Sequence, residues 1–215
     1  MSDIEKGHHA GAGSALTHPV PGRLGNPAAL GLFSFASTTF MLSLYNVSAR
    51  NIHTPNVVVG MALFTGGLAQ LLAGMWEFPN GNTFGATAFT SYGAFWLSYA
   101  SILLPNTGII AAYTSEDELA SALGIFLFAW FIVTMLLLIA SLRKSIAFIA
   151  LFGFLAITFA LLGAGEFTAK ANVTKAGGAF GIITAFIAYY IGLSDLLAAE
   201  RAAVIGLPTG GFKYD

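Results

Sequence analysis

Uncharged and mostly apolar intervals dominate the chain. No Asp, Glu, Lys or Arg occurs in six long stretches, which are residues 24–49, 51–76, 78–115, 119–142, 145–165 and 176–194. A helix needs about 20 consecutive apolar residues to cross the roughly 30 Å hydrocarbon core of a bilayer. Each stretch is long enough, so the pattern predicts an all-α membrane protein with six transmembrane helices.

The predicted helices fall between clusters of turn residues. We place them at residues 28–48, 56–77, 83–104, 118–141, 145–165 and 176–197, separated by Pro-, Gly- and Asn-containing connections. Ser115 followed by Glu118 is a capping-box pattern that would start the fourth helix. The chain then divides into a mobile polar N-terminal tail (1–25), a six-helix membrane domain (26–200) and a short C-terminal tail (201–215).

Composition supports this class and excludes several others. Charged residues make up 9% of the chain, against about 25% in soluble domains. The net charge of −1, without a basic patch, gives no support for nucleic-acid binding. The absence of cysteine excludes disulfides and thiolate chemistry. The four histidines lie in the tail or a loop, and no nucleotide-binding or hydrolase motif is present, so we expect no metal, no cofactor and no enzyme activity.

The distribution of Lys and Arg predicts the orientation in the membrane. With both termini cytoplasmic, the inner segments hold six basic residues (Lys6, Arg23, Arg143, Lys144, Arg201, Lys213) and the outer loops hold three (Arg50, Lys170, Lys175). An excess of basic residues marks the cytoplasmic side. The polar first 25 residues lack the apolar run of a cleavable signal peptide, so the first helix would act as the insertion signal.

Polar residues within the first two helices are the first candidates for function. Asn26 precedes Pro27 and would cap the first helix, or would help the helix N-terminus to receive an anion; chemistry alone favours the cap. Further along this helix, residues at helical spacing share one face: Phe35, Thr39, Leu42 and Asn46. In the second helix, Gln70 could link helices or hydrogen-bond a carboxyl ligand, and linking is favoured. Glu77, at the helix end, is expected to have a solvated or interfacial role, with proton handling as the alternative.

The third helix has two contrasting faces. One is a hydroxyl stripe of Thr83, Thr87, Thr90, Ser91 and Ser98, and the other carries Phe84, Tyr92, Phe95 and Tyr99. Periodicity does not decide which face lines a pathway. No ionisable side chain lies near the centre of any predicted helix. This suits a small weak acid, because a bare carboxylate in a dry, unpaired site would be too costly.

Three stretches identify a family. Residues 26–32 read Asn-Pro-Ala-Ala-Leu-Gly-Leu, and residues 64–70 and 81–96 carry two further long motifs in the same order. Together they resemble the acetate uptake transporter family (GPR1/FUN34/YaaH), in particular its fungal members. Ala29 stands where the family commonly has Pro, so the local helix start is less rigid. The resemblance covers about residues 24–200.

The resemblance implies a fold and a function. Members of this family carry acetate and other short monocarboxylates across the plasma membrane, generally with protons, and bacterial relatives also accept succinate. The implied fold is six helices around a pore in each protomer, assembled as a homo-hexamer and similar to acid-activated urea channels. Its hydrophobic constriction maps onto Phe35, Tyr92 and Leu155. We expect substrate contacts from Asn26, Gln70, Thr90 and Tyr92.

Two other functions remain open beside an acetate carrier or channel-like pore. One is a membrane sensor that binds acetate and signals through its tails, although a C-terminal tail of about 15 residues offers little signalling surface. The other is a channel for a small neutral solute such as ammonia or urea, which the charge-free helices do not exclude.

Overall fold

The computed structural model describes residues 25–200 and 202–212, and this part of the chain is almost entirely helical. It contains six long helices, which are α1 (Ala28–Asn46), α2 (Val58–Glu77), α3 (Thr83–Leu103), α4 (Glu116–Ser141), α5 (Ile146–Thr168) and α6 (Ala171–Ala199). Short 3₁₀ turns follow α1 (Ala49–Asn51) and α3 (Pro105–Thr107 and Ile110–Ala112). All except α3 are both long and apolar enough to cross a membrane. At 21 residues α3 is also long enough, and its Ser, Thr and Gly residues make it more polar. The prediction of an all-α protein with six long helices is confirmed.

Side-chain caps begin α3, α4 and α5. Ser115 Oγ accepts a hydrogen bond from Glu118 N (3.4 Å), which confirms the predicted start of the fourth helix. Asn82 Oδ1 accepts from Gly85 N (3.1 Å) at the start of α3, and Ser145 Oγ accepts from Phe148 N (3.2 Å) at the start of α5. Each cap satisfies an N–H group that has no partner within its helix.

The connection between α5 and α6 is shorter than predicted. Ala169 adopts a left-handed conformation (φ +50°) and reverses the chain almost at once. Consequently α5 continues to Thr168 and α6 already begins at Ala171, whereas we predicted helix boundaries at residues 165 and 176.

The middle of α2 is a π-helix, which the sequence does not predict. This π-helix has nine residues, Met61–Ala69, and lies between the α-helical segments Val58–Gly60 and Gln70–Glu77. Such stretches are rare and frequently lie at functional sites. The π-helix ends directly before Gln70, so it sets the direction in which that side chain leaves the helix.

The helices form a ring in chain order. α1 packs against α2 and α6, and α5 packs between α4 and α6. The contact between α3 and α4 is made mainly by aromatic side chains, such as Phe95 with Phe126 (ring centroids 5.7 Å apart). Close packing of α6 depends on glycine: a Cβ on Gly177 would lie 2.8 Å from Leu162, and one on Gly181 would collide with Ser43. The absence of side chains at these two positions, four residues apart, therefore lets α6 approach its neighbours closely.

The described part of the C-terminal tail is packed against the bundle. Its residues 207–212, here called the C-terminal segment, run along the start of α5 and the end of α6. Ser194 Oγ donates to Leu207 O (2.8 Å), and Ile146 N donates to Gly210 O (3.0 Å). Apart from Gly25, the predicted N-terminal tail lies outside the described residues.

Candidate functional site

Two cavities lie within the ring of helices. The lower cavity, about 200 Å³, is at the end of the bundle where α1 begins, and the upper cavity, about 130 Å³, is at the end where α1 finishes. Phe35 and Leu155 line both cavities. These two side chains therefore stand between the lower and upper cavities.

An aromatic and aliphatic cluster separates the cavities. Phe35, Tyr92 and Leu155 are 5%, 3% and 3% exposed, and the rings of Phe35 and Tyr92 lie 5.5 Å apart. The Tyr92 hydroxyl shares a hydrogen bond with Thr134 Oγ1 (2.9 Å), and Thr134 in turn donates to Trp130 O (2.7 Å). α4 thus holds the Tyr92 ring in place. The structure brings the three predicted constriction residues together, and an apolar narrowing of this kind can gate passage by excluding water.

Gln70 presents an unsatisfied amide to the lower cavity. Its side chain is fully buried and lines the cavity, yet neither Oε1 nor Nε2 has a hydrogen-bond partner among the described residues. A buried amide without a partner costs about 1–3 kcal/mol. The favoured interpretation of Gln70 as a link between helices has no hydrogen bond to support it. Its position suits recognition of a ligand in the cavity.

Asn26 lies at the start of α1, beside the lower cavity. Its Oδ1 accepts from Ala28 N (3.0 Å), as expected of a cap at the start of α1. Asn26 also lines the lower cavity. The N-terminus of α1, with its positive dipole end, therefore faces the same space as Gln70.

The hydroxyl stripe of α3, including Thr90, lines neither cavity. A Cβ on Gly74 of α2 would collide with Thr90 Oγ1, so Thr90 packs against α2. Thr87 and Ser98 donate to carbonyl groups of their own helix (2.8 Å each). The aromatic face of α3 lines the cavities instead, which answers the question that periodicity left open. The structure does not place Thr90 with the other predicted substrate contacts.

Charged residues gather at the outer end of the lower cavity. Glu77 is only 2% exposed and accepts a hydrogen bond from Asn82 Nδ2 (3.0 Å), so of the two expected roles the solvated one is wrong. The turn after α2 folds Asn82 back over the helix end, which removes Glu77 from solvent. Asp195 and Lys144 line the cavity beside Asn82. Sequence reasoning missed Lys144 and Asn82 because both follow a helix end and meet only in the folded bundle.

The upper cavity contains two further unsatisfied polar groups. Thr39 Oγ1 and Trp96 Nε1 are buried without partners among the described residues, and both residues line this cavity. The predicted shared face of α1 is confirmed, because Phe35, Thr39, Leu42 and Asn46 all line it. The sequence contained no signal for Trp96, whose indole is easily interpreted as core packing.

Metal ligation finds no support in the described residues, where no group of three His, Cys, Asp or Glu side chains is close enough to hold an ion. His53 lies in the connection after α1. The other three histidines (His8, His9, His18) lie outside the described residues.

Comparison with known proteins assigns the family. Residues 10–211 match the GPR1/FUN34/yaaH family. The chain belongs to this family. Within it, the chain is 46% identical to ammonia transport outward protein 2 of Saccharomyces cerevisiae, over 86% of this chain and 66% of that protein. It is 43% identical to acetate permease A of Emericella nidulans, over 89% of this chain and 68% of that protein.

A solved structure of a GPR1/FUN34/yaaH relative shares the fold. The bacterial acetate channel SatP superposes with a TM-score of 0.77 and 35% sequence identity, over 86% of this chain and 99% of that one. This places the protein among multi-pass membrane transport proteins and not among enzymes. The chain spans about two thirds of the length of the yeast relative.

Proposed function

We propose that this protein conducts acetate and other short monocarboxylates across the plasma membrane, each together with a proton. The observation that carries the proposal is the buried, unpartnered amide of Gln70, which faces a cavity of about 200 Å³. A cavity of this size accommodates a small carboxylic acid, and the apolar cluster above it would exclude a hydrated ion. The names of the fungal permease and the bacterial channel support acetate as the substrate.

The proposed route begins in the lower cavity. Asn26 and the N-terminus of α1 would receive the carboxylate, and Gln70 would hydrogen-bond it. Phe35, Tyr92 and Leu155 would then allow passage only after loss of water. Beyond them, Thr39 and Trp96 offer one O–H and one N–H donor in the upper cavity.

We expect proton linkage because a charged substrate would be unstable in the apolar constriction. Among the described residues, no Asp, Glu, His, Lys or Arg lines the junction of the cavities at Phe35 and Leu155, so no charge there compensates a bare carboxylate. Desolvating an ion without a partner is far costlier than desolvating a neutral acid. The substrate would therefore cross as the undissociated acid, which carries its own proton and needs no relay.

Assembly and orientation belong to the same proposal. We propose a homo-hexamer with both termini in the cytoplasm, supported by the family resemblance and by the six-to-three distribution of basic residues. In this orientation the lower cavity opens to the cytoplasm and the upper cavity to the outside.

Labelled acetate uptake into liposomes that contain the purified protein tests the proposal. Empty liposomes are an essential control, because undissociated acetic acid also crosses lipid. We expect a protein-dependent initial rate that falls as pH rises and that carries no net current. A protein-dependent current would instead show passage of the anion. Absence of protein-dependent uptake, with Gln70-dependent acetate binding retained, would favour the sensor.

A neutral solute is the second candidate, because one relative is named for outward ammonia transport. Competition separates it from the first. If excess ammonium or urea abolishes acetate uptake while passing through the protein itself, the pathway serves neutral solutes. If neither affects the rate, that candidate is removed.

A further inference from the structure

The lower cavity opens between groups of opposite charge. Its mouth, defined here as Asn26, Asn82, Lys144 and Asp195, contains one acidic and one basic side chain. Glu77, bonded to Asn82 behind the mouth, lies close enough to Asp195 for electrostatic interaction. One carboxylate, that of Asp195 on α6, thus faces the route of an incoming anion, and it would repel it.

Within residues 25–200 and 202–212, Lys144 is the one Lys or Arg that lines this cavity. It is exposed, and its Nζ lies 4.5 Å from the centre of the Phe84 ring, which also lines the cavity. A cation above an aromatic face is attracted by the ring. Phe84 is itself packed edge-on against Phe152 (5.6 Å between centroids), so the ring offers the ammonium group a fixed surface beside the opening.

The C-terminal segment fixes the backbone that carries Lys144. Phe212 N donates to Lys144 O (3.3 Å), and Ile146 N and Ala147 N donate to Gly210 O and Thr209 O (3.0 and 3.1 Å). The last two bonds satisfy N–H groups in the first turn of α5 that have no partner within the helix. The C-terminal segment therefore holds the chain at Lys144 and directly after it.

The C-terminal segment is in turn fastened to α6. Ser194 Oγ donates to Leu207 O (2.8 Å), and Tyr190 OH donates to Pro208 O (2.7 Å). Neither Ser194 nor Tyr190 lines the lower cavity. These two hydroxyls can be removed without altering the surface that the substrate meets.

We propose that Lys144 attracts the carboxylate to the mouth of the lower cavity, and that the C-terminal segment positions it for this role. The inference rests on the proposed function and assigns a residue outside the set expected from the sequence. Lys144 offsets the Asp195 carboxylate at the opening and raises the local concentration of an anionic substrate. The captured anion would take up a proton from the solution at the mouth, so that the neutral acid goes on to the constriction without a relay in the protein.

Acetate binding to the protein in nanodiscs, measured by saturation-transfer NMR, tests this inference independently of transport. We expect Lys144→Gln to raise the Kd for acetate about fivefold, as one charge interaction near the surface is lost. Lys144→Arg keeps the charge and should stay within about twofold of the unmodified protein. Arg50→Gln removes an exposed cation after α1, at the opposite end of the bundle, and should change nothing.

Two further measurements complete the test. Raising the salt concentration should weaken binding to the unmodified protein and have little effect on Lys144→Gln. A Tyr190→Phe/Ser194→Ala double variant should also raise the Kd for acetate, by a smaller factor than Lys144→Gln. Circular dichroism checks that this variant is folded. If the double variant binds as the unmodified protein does, the C-terminal segment has no positioning role.

The outcomes separate this inference from the proposed function. Normal acetate transport and unchanged binding in Lys144→Gln would overturn the role of Lys144 and leave the function intact. Absence of acetate binding to the unmodified protein would overturn both. Equal weakening by Lys144→Gln and Arg50→Gln would show a general effect of net charge and would also overturn the inference.

Discussion

Gln70 is buried among apolar side chains with its amide unpaired, and this makes its replacement informative. We expect Gln70→Leu, which keeps the volume and removes the hydrogen-bonding groups, to raise the KM for acetate about tenfold. The reason is that a hydrogen bond to the carboxyl group of the ligand is lost at a buried position. Initial uptake rates in liposomes over a range of acetate concentrations measure the change.

Thr90→Val is the matched control for Gln70→Leu. The structure places Thr90 against α2 and outside both cavities, although the resemblance suggested a substrate contact. Uptake should therefore be nearly unchanged in Thr90→Val. A loss as large as that of Gln70→Leu would support the expectation from sequence and contradict the position of Thr90 described here.

Phe35 is the aromatic side chain shared by the two cavities, and its removal should join them. We expect Phe35→Ala to increase the uptake of bulkier carboxylates several-fold relative to acetate, because the narrowing no longer selects by size. Parallel uptake of labelled acetate and labelled benzoate measures this ratio.

Phe40→Ala is the corresponding control on the same helix. Phe40 packs edge-on against Phe186 of α6 (5.5 Å between centroids) and lines neither cavity. The ratio of benzoate to acetate should stay the same in this variant. An unchanged ratio in Phe35→Ala as well would remove Phe35 from the constriction.

The contact between α2 and α3 depends on the absence of a side chain at Gly74. A Cβ there would collide with Thr90 Oγ1 and come within 2.5 Å of Thr90 N. We expect Gly74→Ala to destabilise the protein by about 1–3 kcal/mol, since overpacking must push the two helices apart. Thermal unfolding in detergent, followed by tryptophan fluorescence, measures the loss.

Gly153 on α5 is the control for Gly74, because a Cβ at that position meets nothing within 4 Å. Gly153→Ala should be neutral or slightly stabilising, as alanine is the better helix former. Equal destabilisation by the two substitutions would show that glycine flexibility, and not close packing, explains the effect at Gly74.

The whole bundle has two ends, and their orientation can be measured because the chain contains no cysteine. Asn80 lies in the exposed turn between α2 and α3, and Thr114 lies exposed before α4. With both termini cytoplasmic, an impermeant maleimide should label Thr114→Cys in intact cells. It should label Asn80→Cys only after the membrane is opened. The reverse pattern would contradict the proposed orientation.

Hydropathy determined the number and approximate limits of the helices. Charges and unpaired backbone groups are costly in lipid, and each segment must avoid them on its own, whatever its neighbours in the fold. Local chemistry likewise determined the cap at Ser115 and the shared face of Phe35 and Thr39. Both depend on neighbours along the chain. The burial of Glu77 could not be predicted in this way. It depends on Asn82, which returns over Glu77 only after the next turn.

The family motifs marked Gln70 and Tyr92, while only the tertiary structure decided what each side chain faces. The π-helix directs Gln70 into a cavity, and α4 supplies the Thr134 partner that orients Tyr92. Thr90, from the same motif as Tyr92, points to α2 instead. Spacing along a helix specifies which residues share a face. The packing of all six helices specifies whether that face meets a cavity, a neighbour or lipid.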